Sequence, residues 1–139
     1  VGHDAVAMAG AIGQPDVHSG ELPCAYVELV AGASVTPDAL MEFAKSRVHE
    51  RAAQPKHIEI LDQLPKTAVG KVFKPDLRKN AITRVFNAAL DKAGLPTRVV
   101  SVVDDKTRGL VAQVELRGAP SEDVGHVLGN FANRWEVAA

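Results

Sequence analysis

A single cysteine, Cys24, among 139 residues excludes any internal disulfide. An apolar core must therefore hold the fold, and Cys24, set in an apolar run, reads as a small member of it. The net charge is −1, so no global field draws nucleic acid or a membrane surface. No apolar stretch approaches the roughly 20 residues that a membrane-spanning helix needs. The first residues do not read as a signal peptide. The histidines (His3, His18, His49, His57 and His126) have no metal-ligand spacing. Gly10-x-x-Gly13 has no helix signal after it and is no dinucleotide fingerprint. Ser19 and Ser121 have no base signature beside them, and Ser121 reads as a helix cap. No internal repeat, low-complexity tract or Gly-rich phosphate loop is present. The lone cysteine fits a cytoplasmic protein. The chain begins at Val1 with residues that already read as structured, which predicts a fragment of a longer protein.

What remains is an ordinary globular composition, 46% hydrophobic and 24% charged. A chain of this size buries about 68–70% of its unfolded surface, enough for one domain or two very small ones. The apolar run from Ala5 to Ile12 reads as a strand, and the turn-rich stretch Gly13–Gly20 as a loop. Over Leu22–Val30 residues alternate, with Ala25, Val27 and Leu29 on one face and Cys24, Tyr26 and Glu28 on the other, predicting a half-buried strand. Thr36 reads as an N-cap, with Pro37 at the first helical position. The helix is predicted to run to about His49, with Leu40, Phe43, Ala44 and Val48 inward. A strand follows Pro55, with Ile58 and Ile60 inward and His57 and Glu59 outward. Pro75 starts a helix carrying Ile82, Val85, Phe86 and Ala89 on one face, stopped at Gly94-Leu95-Pro96. Arg98–Val103 and Leu110–Leu116 form a hairpin whose turn holds Asp104 and Asp105. Pro120–Asp123 opens a last helix with Val124, Val127, Leu128, Phe131 and Trp135.

The most informative run is Leu64-Pro-Lys-Thr-Ala-Val-Gly-Lys-Val-Phe-Lys74. Lysine is a mobile point charge on a long stem, and the glycine before it lets the backbone turn tightly beside a ligand. Such a cation suits chemistry that brings two anions together. At ~4 Å and an effective dielectric of ~20, one contact is worth about 4 kcal/mol. That is about a thousandfold in rate. Around it lie Lys66, Lys71, Lys74, Arg78, Lys79 and Arg84 against Asp76 alone, a stretch that either faces phosphates or is a solvated helix face.

Pro65-Lys66-Thr67-x-x-Gly70-Lys71 resembles the last core motif of AMP-forming acyl-CoA synthetases, members of the adenylate-forming superfamily. Ile12-Gly13-Gln14-Pro15-Asp16 and Gly32-Ala33-Ser34-Val35 match that family's small C-terminal domain in the same order, over roughly residues 1–80. The resemblance implies an α+β fold, a two-layer sandwich of small sheets and helices that acts as a lid. It implies a catalytic role for Lys71 and cofactor-binding roles for Gly70 and Lys74. ATP and coenzyme A would be substrates, and Mg2+ would bind a large N-terminal adenylation domain that precedes residue 1 in the family. Other members, peptide-synthetase adenylation domains and aryl-acid ligases, carry the same motif, and a non-catalytic α+β interaction module is the rival outside it. The family's hinge is absent from the sequence, and so is the Tyr-Lys pair that many relatives have near Ala52-Ala53-Gln54-Pro55. The expected division is a lid at 1–80 and an appended α-β-β-α, ferredoxin-like extension at 81–139, outside the resemblance. A short strand around Val69–Phe73 would complete that extension, and its exposed strand edge is a candidate homo-oligomer contact.

Overall fold

The computed structural model describes residues 3–47 and 54–138. Expectations for Val48, His49, Ala52 and Ala53 fall outside the described residues. The elements are β1 (Val6–Asp16), β2 (Gly20–Leu29), α1 (Pro37–Arg47), β3 (His57–Leu61), α2 (Lys74–Lys92), β4 (Arg98–Asp105), β5 (Gly109–Glu115), α3 (Ser121–Leu128) and β6 (Arg134–Val137). They form two three-stranded sheets, ordered β1-β2-β3 and β4-β5-β6. The chain divides into two compact units, one of Val1–Gly13 with Leu22–Leu77, the other of Gln14–Glu21 with Arg78–Ala139.

In the first unit β2 is the central strand, parallel to β3, with Ala25 opposite Ile58 and Val27 opposite Ile60. Parallel neighbours need a crossover, and α1 provides it. Thr36 caps α1 as expected: its hydroxyl accepts the Ala39 N–H at 3.1 Å. The side of the sheet that α1 covers buries Val27, Leu40 and Ile58. Beside them lies an apolar cleft of about 190 Å3, lined in part by Val6, Ala25, Phe43 and Arg47. The other side of β2 is covered too. Cys24 and Tyr26 are buried, so β2 is buried on both faces rather than half-buried.

The predicted loop at Gly13–Gly20 is shorter in the structure. β1 continues to Asp16, and the turn is Val17–Ser19. Pro15 does not interrupt β1, because β1 is an edge strand and proline's missing N–H is tolerated there. The Asp16 carboxylate accepts the N–H groups of His18 and Ser19 at 3.1 and 2.8 Å.

The second unit packs α2 and α3 against β4-β5-β6. Ile82, Phe86 and Leu90 of α2 meet Val99, Val102, Ala112 and Val114 of the hairpin and Val124 and Leu128 of α3. Phe86 and Phe131 are in ring contact, with centroids 4.9 Å apart. The α-β-β-α order is present as α2-β4-β5-α3. Three details differ from expectation. Phe131 and Trp135 are not on the last helix, which ends at Leu128; Phe131 follows it, and Trp135 lies on β6, parallel to β5 and opposite Ala112. Gly129 is the C-cap of α3, and the Asn130 side-chain amide donates to the His126 carbonyl. The N-cap of α3 is Pro120, with no side-chain cap, so Ser121 is the first helical residue and not the cap. Val69–Phe73 forms no strand: β6 is the third strand of the sheet, and the loop holds only an isolated antiparallel bridge, Lys66 to Val72.

Candidate functional site

The segment from Leu64 to Phe73 is a small hairpin closed by its own hydrogen bonds. Phe73 N–H donates to the Pro65 carbonyl at 2.7 Å, and Thr67 N–H to the Lys71 carbonyl at 2.7 Å. Gly70 N–H donates to the Thr67 carbonyl at 2.9 Å, making a turn at its tip. Gly70 has φ +84°, a left-handed conformation that costs a residue with a Cβ roughly 1 kcal/mol or more. The Thr67 hydroxyl accepts the Lys71 N–H at 3.2 Å. Thr67 thus holds Lys71 twice, through backbone and side chain, which gives the threonine of the motif a physical role. Lys71 leaves the turn with its side chain exposed and no ion pair among the described residues.

Two residues of the first sheet seat this hairpin. On β2, Glu28 Oε1 accepts the Leu64 N–H and the Lys66 ammonium, each at 2.8 Å. The Lys66 ammonium, then the Leu64 N–H, holds the Glu28 carboxyl below its ordinary value. On β1, Gly10 lets the other leg approach. A Cβ at Gly10 would stand 2.9 Å from Val72 Cγ1 and 2.8 Å from Leu77 Cδ1. Leu64, at the foot of the hairpin, is buried.

Gly70 and Lys71 are therefore together at the tip, and Lys74 is the first residue of α2, exposed. Two members of the basic stretch have partners. Lys66 is paired with Glu28, and the Arg84 guanidinium donates to Gln14 Oε1 at 2.9 Å. His57 and Glu59 are half-exposed and bonded to each other at 2.7 Å. Asp105 organises the β4-β5 turn: its carboxylate accepts the N–H groups of Thr107 and Arg108 at 2.8 and 2.9 Å. Sequence reasoning missed Glu28 and Gly10 as parts of the site. The first sits among apolar strand residues and its partners are remote in sequence. The second had a usable signal, since a glycine inside a strand marks a close approach. Among the described residues no group of three or more His, Cys, Asp or Glu side chains gathers to hold a metal, and no magnesium step is assigned to this chain.

Residues 1–71 match the AMP-binding enzyme C-terminal domain. The chain belongs to that family. It is 36% identical over 117 residues to a marinolic acid–CoA ligase from Pseudoalteromonas sp. (strain SANK 73390), covering 84% of this chain and 18% of the relative. It is 40% identical over 85 residues to an acyl-CoA ligase from Purpureocillium lilacinum, covering 58% of this chain and 22% of the relative. The chain thus spans about a fifth of the length of these relatives. A match of 117 residues cannot fit inside residues 1–80, so the likeness to the Pseudoalteromonas ligase reaches into the C-terminal extension. Among solved structures, apo MatB from Rhodopseudomonas palustris aligns with 55% of this chain and 15% of its own, at TM-score 0.51 and 28% identity. A Mycobacterium tuberculosis fatty acyl CoA synthetase aligns over the same shares at TM-score 0.50 and 28% identity.

Proposed function

We propose that this chain is the C-terminal lid of an ATP-dependent, AMP-forming acid–CoA ligase, with the lid at 1–80, an appended extension at 81–139, and Lys71 as the catalytic lysine. The observation that carries the reading is an exposed Lys71 at the tip of a self-closed hairpin, in a domain of the matching family. The reaction joins a carboxylate oxygen to the α-phosphorus of ATP and expels pyrophosphate. The Lys71 ammonium, placed between the two anionic reactants, offsets their repulsion and stabilises the charge that develops between them. Gly70 supplies the turn that presents it, and Lys74 meets phosphate of ATP or coenzyme A. In the second half-reaction the coenzyme A thiol attacks the acyl carbonyl and AMP leaves; the Lys71 cation has no part in it. The partners are the N-terminal adenylation domain, the carboxylic acid, ATP and coenzyme A, with magnesium accompanying ATP on the N-terminal domain. A cytoplasmic setting fits these substrates. No helix among the described residues is long and apolar enough to cross a membrane. A homo-oligomer through the extension has less support: β4 is an edge strand, but its pairing with β5 shifts register between Val99 and Ser101, and such irregularities blunt an edge for pairing.

The test is Lys71→Ala in the full-length ligase that carries this domain. Pyrophosphate release with ATP, magnesium and a panel of carboxylates should fall about a thousandfold, the worth of one such charge contact. Thioester formation from supplied acyl-adenylate should persist, because the lysine acts on charge present only in the first transition state. Equal loss in both half-reactions would refute the assignment.

A further inference from the structure

We propose that Glu28 is a positioning residue for Lys71: its carboxylate pins the stem of the Lys71 hairpin to the central strand β2 and so sets where the ammonium can reach. The inference rests on the reading of Lys71 as the adenylating lysine.

The geometry carries it. A single oxygen, Oε1, receives both the Leu64 N–H and the Lys66 ammonium, each at 2.8 Å, from residues 36 and 38 positions further along the chain. Both donors lie in the leg of the hairpin that leads to Lys71. The bonds that close the hairpin, from Thr67, Gly70, Lys71 and Phe73, are internal to it. Internal bonds give a turn its shape; they do not give it a place. Place comes from the tethers at its two legs. One is apolar, Val72 lying close over Gly10 of β1, and van der Waals contact resists separation more than sliding. The other is Glu28, which is directional and charge-assisted. The pair is partly exposed, with 20% of the Glu28 side chain and 32% of the Lys66 side chain open to solvent, so its hold on the stem comes from two convergent bonds to one oxygen rather than from exclusion of water.

The pair has a second consequence. It holds the Lys66 ammonium against the sheet, five residues before Lys71, so a single cation is presented at the hairpin tip. Loss of Glu28 would both loosen the stem and release Lys66 to compete for the same phosphate oxygens. A displacement of about 1 Å in a positioned group can cost on the order of a hundredfold in rate. The expected signature is therefore a fall in kcat for adenylation without a matching rise in KM for ATP.

The experiment uses the full-length ligase carrying this domain, with Glu28→Ala, Glu28→Gln and Lys66→Met, each alone and combined with Lys71→Ala. Adenylation is followed by pyrophosphate release, thioester formation from supplied acyl-adenylate, and folding by thermal melting. Glu28→Ala should lower adenylation kcat about 10- to 100-fold and move KM for ATP less than about threefold. Glu28→Gln, which keeps an acceptor for the Leu64 N–H, should fall between wild type and Glu28→Ala. Thioester formation should be unchanged. In the Lys71→Ala background the Glu28 substitutions should add nothing, because a residue that acts through Lys71 has nothing left to position. Unchanged adenylation in folded Glu28→Ala would overturn the proposal. So would a parallel fall of both half-reactions with the melting temperature, or full additivity with Lys71→Ala. Should Glu28→Ala fail to fold, the isosteric Glu28→Gln and the partner change Lys66→Met decide by the same criteria. Intact adenylation in Lys71→Ala itself would instead sink the underlying assignment of Lys71, an outcome read from a separate protein.

Discussion

Residues 6–61 form a hairpin, β1-β2, then helix α1, then β3 parallel to β2; residues 98–137 form a hairpin, β4-β5, then helix α3, then β6 parallel to β5. Both hairpins turn on the same device. Asp16-Val17-His18-Ser19-Gly20 and Asp105-Lys106-Thr107-Arg108-Gly109 each place a carboxylate under the N–H groups two and three residues on. No sequence repeat betrays this. A hairpin followed by a helical crossover is a compact way to lay a helix on a small sheet, and two unrelated stretches can reach it independently. The regions part company in what surrounds the plan. The first hands its chain from β3 into the Leu64–Phe73 hairpin, with Glu28 and Gly10 seating it. The second places Ala112, Val114, Val124 and Leu128 in a shared apolar cluster with Phe86. The same topology is followed by an exposed lysine hairpin in one region and by a shared apolar cluster in the other; the proposed role of Lys71 would place function on a loop of a stable scaffold.

The comparison breaks first in the cores. Phe86→Ala should cost about 3–5 kcal/mol, because Phe86 is fully buried in a cluster of helix and sheet side chains. Leu40→Ala should cost about 2–3 kcal/mol, toward the lower end for a buried leucine. It borders the cleft of about 190 Å3, and neighbours there have room to collapse. Urea denaturation of the two variants would measure both. A cost for Leu40→Ala equal to or above that of Phe86→Ala would remove the claimed difference between the cores.

A finer comparison uses the turns. Gly70 and Gly109 both adopt left-handed backbone, with φ +84° and +78°, and an added Cβ meets nothing within 4 Å at either. Gly70→Ala and Gly109→Ala should each destabilise by about 1 kcal/mol through backbone strain alone. On the proposed role of Lys71, only Gly70→Ala should also slow adenylation in the full-length protein, since of the two turns only this one carries Lys71. A matching loss of adenylation in Gly109→Ala would mean that the two turns do not divide the labour in this way.

What the sequence made legible was local. The Lys71 motif and the Thr36 cap need only a short window, and both stand in the structure; the α2 face stands in part, with Ile82 and Phe86 buried but Leu90 in place of Val85 and Ala89, and β5 buries Val111 as well as the expected Ala112 and Val114. What it concealed was remote or ambiguous. Trp135 continues a helical spacing from Val124, Leu128 and Phe131, so its place on β6 is hidden, although Gly129-Asn130 marked the stop. Pro15 suggested a loop because the edge position of β1 cannot be read from β1 alone. Tyr26 and Glu28 alternate onto one face of β2, yet one is a core aromatic and the other an acceptor for Leu64 and Lys66. Nothing within a window of β2 reveals a partner 38 positions away.

The smallest expected effect separates the carboxylates of the two regions by pH. Glu28 is held below its ordinary 4.5 by Lys66 and then the Leu64 N–H. Asp105 is held below 3.8 by the N–H groups of Arg108 and Thr107 and by the Arg108 guanidinium. Glu136 is held below 4.5 by Arg108 and then Gln113. These partners exist only in the folded chain. The stabilisation is therefore complete above the ordinary values and is lost as pH falls through the lowered ones, when the folded carboxylates take up protons. Arg108 serves both Asp105 and Glu136, so Arg108→Met should flatten the acid limb of the second region's stability, while Glu28→Gln should flatten that of the first. Because these groups are solvent-accessible, added salt should shrink both effects. Urea denaturation between about pH 7 and about pH 3, at low and high salt, measures them. Either variant losing as much stability on acidification as the wild type would show that its carboxylates do not contribute through charge, and for Glu28 that would leave the Leu64 hydrogen bond as the whole of its tether.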